Sequence, residues 1–184
     1  MWMQSDRFFG YGSLVNRRTH NYRDFSAITL SGWQRVWRQT ATFQRPILTI
    51  EPALGVEIDG ARAAVPGGDW RALDAREHAY DRVLLEGGTP HGGLATYVIG
   101  AQKYAAPDAL HPIFLSYLDV VLQGFFNEYG RDGLRRFCDT TRGWEAGIRD
   151  DRRAPQYPRH QRLTPQERAL VDQEIARLGC KVLP

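Results

Sequence analysis

The chain has 184 residues, 42% of them hydrophobic and 24% charged, with a formal net charge of +3. That length and mixture describe one globular domain with an appended segment and exclude a disordered or fibrous chain. No run of about 20 apolar residues offers a spanning helix, and the short, mixed stretch Met1 to Gly10 does not read as a signal peptide.

Taken in order, the first two-thirds reads as strands broken by turns. Arg7 to Tyr11 is a short aromatic run ahead of Gly12 and Ser13, the pattern of a buried strand entering a loop. Phe25 to Phe43 holds two strand-like runs around Ser31-Gly32, and Trp33, Arg35 and Trp37 share a face if extended. Leu48 to Glu51 and Gly55 to Ile58 read as short strands around Pro52, and Ala61 to Val65 follows a turn at Asp59-Gly60. Asp69 caps a helix with Trp70, Leu73 and Glu77 at helical spacing, running to about Ala79. Arg82 to Leu85 and Leu94 to Ile99 are strands flanking the glycine-rich connection Glu86 to Gly93.

The last third changes character. Ala109 to Tyr129 is a helix whose apolar face includes Phe114, Tyr117, Leu118, Val121, Leu122 and Phe125. Arg131 to Thr140 is a second, shorter one. Asp139 to Arg162 is irregular, arginine-rich and broken by Pro155 and Pro158, as a solvated loop over the core would be. Thr164, Pro165 and Glu167 form a capping box that opens a final helix ending near Leu178-Gly179. The boundaries that result are a core over residues 1–105 and a helical extension over 106–184, packed on the same domain.

All basic side chains except Lys103 and Lys181 are arginine. Their charge is spread along the chain, which reads as a solvated surface rather than a nucleic-acid face. Only Cys138 and Cys180 are present, without CxxC spacing. They argue for a reducing, cytoplasmic setting and against a structural zinc site. His20, His78, His91, His111 and His160 have no metal-ligand spacing.

Two segments carry chemistry. In Phe9-Gly-Tyr-Gly-Ser-Leu14 a dinucleotide fingerprint fails because Val15 replaces the third glycine, and a nucleophile elbow fails because Tyr11 and Val15 replace its glycines. Two readings stay open: a nest of backbone N–H groups that binds an anion, or a tight turn. In Leu73-Asp-Ala-Arg-Glu77 the glutamate shares a face with Leu73. A carboxylate there is either a general base with a raised pKa or the partner of Arg76, Arg82 or another arginine. Glu86, beside Gly87-Gly88, is the rival acid and reads as a strand-end residue.

Phe9-Gly-Tyr-Gly-Ser-Leu14, then Gly32-Trp33 in an early strand, then Leu73-Asp-Ala-Arg-Glu77 before Tyr80, resembles the γ-glutamylcyclotransferase-like family over about residues 7 to 100. It is more similar there to the glutathione-degrading ChaC type than to the shorter enzymes. The chain departs from that type in lacking a glycine pair before Tyr80, and the tail from Asp139 has no match in the family's pattern. The resemblance implies an α+β fold, a compact mixed β-barrel with flanking helices. It also implies an enzyme that cyclises the γ-glutamyl group of a small peptide or amine to 5-oxoproline, with no cofactor and no metal. Glu77 would be the catalytic acid/base. Tyr11, Gly12, Ser13 and Leu14 would hold the γ-glutamyl moiety through backbone N–H groups, with Tyr80 as a hydrogen-bond partner. The expected partner is a small γ-glutamyl substrate, without nucleic acid or membrane. A non-catalytic module of the same fold, binding a carboxylate-bearing ligand, is the alternative.

Overall fold

The computed structural model describes residues 6–85, 94–105 and 110–184. Its strands are β1 (Arg7–Gly10), β2 (Ser26–Gln39), β3 (Pro46–Ala64), β4 (Asp81–Leu85), β5 (Leu94–Val98), β6 (Ile113–Phe114), β7 (Thr141–Arg142), β8 (Ile148–Arg149) and β9 (Val182–Leu183). Its α-helices are α1 (Arg71–Arg76), α2 (Leu115–Asp139) and α3 (Pro165–Arg177). The rival acid Glu86, His91 and the glycine-rich connection lie outside the described residues.

The fold is mixed α+β. Six strands form one sheet in the order β4-β5-β1-β3-β2-β7 and three short strands form another, β6-β8-β9. The order of the larger sheet is linear. No pairing joins β4 to β7 among the described residues, so the closure expected of a barrel is not seen. β1 lies between β3, antiparallel, and β5, parallel. The loop that follows it therefore leaves from the middle of the sheet.

The long β2–β3 arm corrects the expectation of several short strands. β2 passes through Ser31-Gly32 with an irregularity between Ser31 and Trp33, where Gly32 takes φ 83°. Opposite it, β3 continues past Pro52 and through Asp59-Gly60 without turning. Gly60 is there for room: a Cβ would fall 2.4 Å from Phe9 Cζ. The face containing Arg35 and Trp37 is buried, at 0% and 5% exposure. Arg35 donates to Asp59 O at 2.6 Å, Thr140 Oγ1 at 2.7 Å and Thr141 Oγ1 at 3.1 Å, and lies over the Phe137 ring. Its hydrogen bonds thus tie the sheet to the end of α2, while burial lowers its pKa to about 9.

α2 joins the two helices expected from the sequence, with a break at Gly130, where φ is 69° and ψ −168°. Its apolar face and that of α3 share one buried cluster with the sheet, in which Phe9, Leu48 and Ile58 meet Leu118, Phe125, Phe137 and Val171. α3 has the expected capping box: Glu167 N–H donates to Thr164 Oγ1 at 3.2 Å and Thr164 N–H to Glu167 Oε2 at 2.7 Å. Such a cap is worth about 1 kcal/mol.

Candidate active site

The loop after β1 is built to stay in place. Ser13–Val15 makes a single 3-10 turn. Asn16, buried at 1% exposure, donates from Nδ2 to Val120 O at 2.8 Å and Gln123 Oε1 at 2.9 Å on α2. Gly124 lets this happen, since a Cβ there would stand 2.8 Å from Asn16 N. His20 Nε2 lies 2.9 Å from Leu14 O. Burial holds the His20 pKa below its ordinary value, which favours the neutral ring, its N–H given to that carbonyl. Gly12 packs against α2 at the point where Tyr117 reaches the loop: a Cβ would fall 2.9 Å from Tyr117 Oη and 3.2 Å from Leu48 Cδ2.

Across the hollow stands the end of α1. The helix stops at Arg76 rather than near Ala79, and Glu77 is its C-terminal cap, with φ −98° and ψ 30°. Leu73 packs in the core at 1% exposure and accepts the Glu77 N–H at 2.9 Å. Because the backbone leaves the helix here, the neighbouring side chains Arg76 and Glu77 can meet. Arg76 Nε donates to Glu77 Oε1 at 3.0 Å, and both side chains are largely buried. Arg76 also donates to Thr19 O, Thr19 Oγ1 and Ser13 Oγ at 3.0, 3.1 and 3.3 Å, binding the glutamate to the loop. Of the partners expected from sequence, Arg82 is not used; it pairs with Asp74 at 3.4 Å.

Glu77 therefore has the arginine partner of one reading and the raised pKa of the other. It is paired with an arginine, and it also lines the hollow that contains Gly12, Ser13 and Tyr80. Burial raises its pKa above the usual carboxylate range, and Arg76 pulls it part of the way back. The carboxyl can thus hold a proton nearer to neutrality than an exposed glutamate and still release it.

Tyr11 and Tyr80 serve the walls with their side chains. The Tyr11 hydroxyl donates to Tyr97 O at 2.5 Å and the Tyr80 hydroxyl to Leu48 O at 3.0 Å. Burial raises both phenol pKa values well above the ordinary one, so both are neutral donors.

Several lining residues were not singled out by sequence reasoning. Tyr117, read there as part of an apolar face, contributes its ring and hydroxyl to the wall and stands edge-on to Tyr157 with centroids 4.9 Å apart. Gln156, Tyr157 and Arg159 come from the arginine-rich stretch read as a solvated loop. That strap is hung on the start of α2. Asp151 accepts from Ser116 N–H at 2.7 Å, Ser116 Oγ at 2.5 Å and Gln156 N–H at 2.8 Å, and Tyr157 N–H donates to Ser116 Oγ at 3.1 Å. The strap, Ser13, Glu77, Tyr80 and Tyr117 enclose about 160 Å³, and a smaller space of about 30 Å³ adjoins it beside Gly12 and Leu14. Among the described residues, no group of three or more His, Cys, Asp or Glu side chains could hold a metal ion. Burial pushes the Cys138 thiol up to about 12, which makes it a poor nucleophile.

By sequence, no known protein family matches the chain, and no curated protein does either. The backbone does find counterparts. A solved structure named γ-glutamyl cyclotransferase superposes with a TM-score of 0.56 at 14% identity, over 91% of this chain and 98% of that one. The chain has the γ-glutamylcyclotransferase-like fold. An uncharacterized protein from Homo sapiens shares the fold with a TM-score of 0.54 at 14% identity, over 92% of this chain and 99% of that one. YkqA from Bacillus subtilis shares it with a TM-score of 0.54 at 16% identity; the match spans 74% of this chain and 55% of YkqA. In this γ-glutamylcyclotransferase-like fold the hollow lies where the β1 loop meets the end of α1. Among the described residues, no helix is long and apolar enough to cross a membrane.

Proposed function

We propose that the protein is a γ-glutamylcyclotransferase-type enzyme, acting on a small γ-glutamyl peptide or amine in the cytoplasm. The observation that carries the reading is the placement of Glu77. It is a largely buried carboxyl with a raised pKa, lining one hollow with the Gly12–Ser13 loop.

The reaction is an internal aminolysis. The α-amine of the γ-glutamyl group attacks its own γ-carbonyl carbon, a C–N bond forms, and the five-membered lactam 5-oxoproline closes. The original amide C–N bond then breaks. Two protons leave the α-nitrogen and both end on the released amine. Tethering removes most of the entropic cost of bringing the reactants together. Glu77 takes a proton from the α-ammonium and delivers one to the leaving nitrogen, a double role that suits a carboxyl lifted toward neutrality. The loop amides at Gly12 to Leu14 hold the substrate α-carboxylate and face the developing oxyanion. Arg76 fixes the Glu77 rotamer and keeps the base form accessible.

The test is a panel of γ-glutamyl compounds assayed for 5-oxoproline. Wild type should form it, and Glu77→Gln should retain the fold while losing the activity; equal activity in the variant removes Glu77 from the mechanism. The Arg76–Glu77 ion pair favours one second reading, a non-catalytic module of the same fold for a carboxylate-bearing ligand. It predicts binding without product from every member of the panel.

A further inference from the structure

The outer part of the hollow differs in chemistry from the end beside Glu77. Phe43, Ile113, Phe114 and Pro158 make its walls apolar. At its mouth the exposed Arg45 lies over the Phe43 ring at 4.9 Å and over the Phe114 ring at 5.9 Å. Arg159 is half-buried and also lines it. Among the described residues, neither arginine makes an ion pair, although Arg159 stands near enough to help lower the Glu77 pKa, and Glu77 is the only acid in the lining. Apolar walls and unpaired donors of positive character call for a ligand part that is both apolar and anionic.

We infer that the group released from the substrate is an amino acid with a bulky apolar side chain and a free carboxylate. The side chain packs between Phe43, Phe114 and Pro158, and the carboxylate faces Arg45 and Arg159. A cationic amine as leaving group meets two like charges there, and a small one leaves the apolar walls wet. This inference rests on the cyclotransferase reading for the orientation of the substrate, with the γ-glutamyl end beside Glu77.

The test compares γ-glutamyl-phenylalanine, γ-glutamyl-glycine and γ-glutamyl-phenethylamine, the last lacking the carboxylate. Turnover by wild type is read as 5-oxoproline release and binding in parallel by titration calorimetry. The phenylalanine compound should exceed the glycine compound about tenfold or more, and the phenethylamine compound about two- to fivefold, the range of a solvent-screened ion pair. The double substitution Arg45→Gln and Arg159→Gln should erase the second difference and keep the first. Equal constants for all three compounds overturn the inference while leaving the cyclotransferase reading intact, as does a carboxylate preference that survives the double substitution. If none of the three yields 5-oxoproline, the cyclotransferase reading falls for these compounds and the binding ranking decides the inference. The same order then supports it, and equal or absent binding overturns it.

Discussion

Asp151 sits outside the hollow, yet two of its walls depend on it. Its carboxylate is 8% exposed. Oδ1 accepts the Ser116 N–H at the start of α2, while Oδ2 accepts both Ser116 Oγ and the Gln156 N–H of the strap. Asp151→Asn keeps the shape and the Oδ1 bond to the Ser116 N–H. The oxygen that receives two donors becomes an NH2 group facing the Gln156 N–H, so a charge-assisted bond is lost and a partly buried donor is left unpaired. Each such bond is worth about 1.5–3 kcal/mol, so the substitution should cost about 2–4 kcal/mol in stability. For a chain of this size that lowers Tm by about 4–16 °C. Urea unfolding gives the free energy and a thermal melt the midpoint, and KM should rise because Tyr157 and Arg159 lose their anchor. A variant within about 0.5 kcal/mol of wild type, the range of an ordinary surface change, would refute the reasoning that Asp151 holds the strap.

Three further outcomes follow from the same geometry. Gly12→Ala places a methyl 2.9 Å from Tyr117 Oη and 3.2 Å from Leu48 Cδ2; overpacking of this kind costs about 1–3 kcal/mol, and denaturant unfolding should show it together with a fall in kcat/KM. Arg76→Met removes the cation that contributes most to drawing the Glu77 pKa down, ahead of Arg159. The base form then appears only at higher pH, so the acid limb of the kcat/KM profile should move upward. Burial holds the folded-state pKa of Glu77 above its unfolded value, so the stability this group contributes is full at low pH and is lost as pH rises through the folded pKa. Glu77→Gln, which cannot ionise, should therefore gain stability over wild type as pH is raised above the ordinary carboxylate range, as measured by urea unfolding across pH.

The parts of this site that were legible in the sequence are those written in local chemistry. Leu73 and Glu77 one turn apart predicted a carboxyl near the core, and the glycines around Tyr11 predicted a backbone loop after the first strand. The long β3 was hidden because Pro52 and Asp59-Gly60 look like breaks; Gly60 in fact makes room for the Phe9 ring, a long-range demand that no local pattern records. Tyr117 was hidden by its own helix, where an aromatic at apolar spacing reads as core. The strap of Gln156, Tyr157 and Arg159 has no periodicity, because hydrogen bonds to Asp151 and Ser116 hold it rather than an apolar face. The Arg76–Glu77 pair depends on where α1 stops: in a continuing helix adjacent side chains diverge, and the end of the helix at Arg76 lets them converge.

The central claim is that the substrate's own amine, and not water, attacks the γ-carbonyl. It is tested most directly by turnover in water enriched in oxygen-18 with mass analysis of the products. Attack by the amine yields 5-oxoproline and free amine in equal amounts, with no label in the 5-oxoproline. Glutamate carrying oxygen-18 in its γ-carboxylate would contradict it.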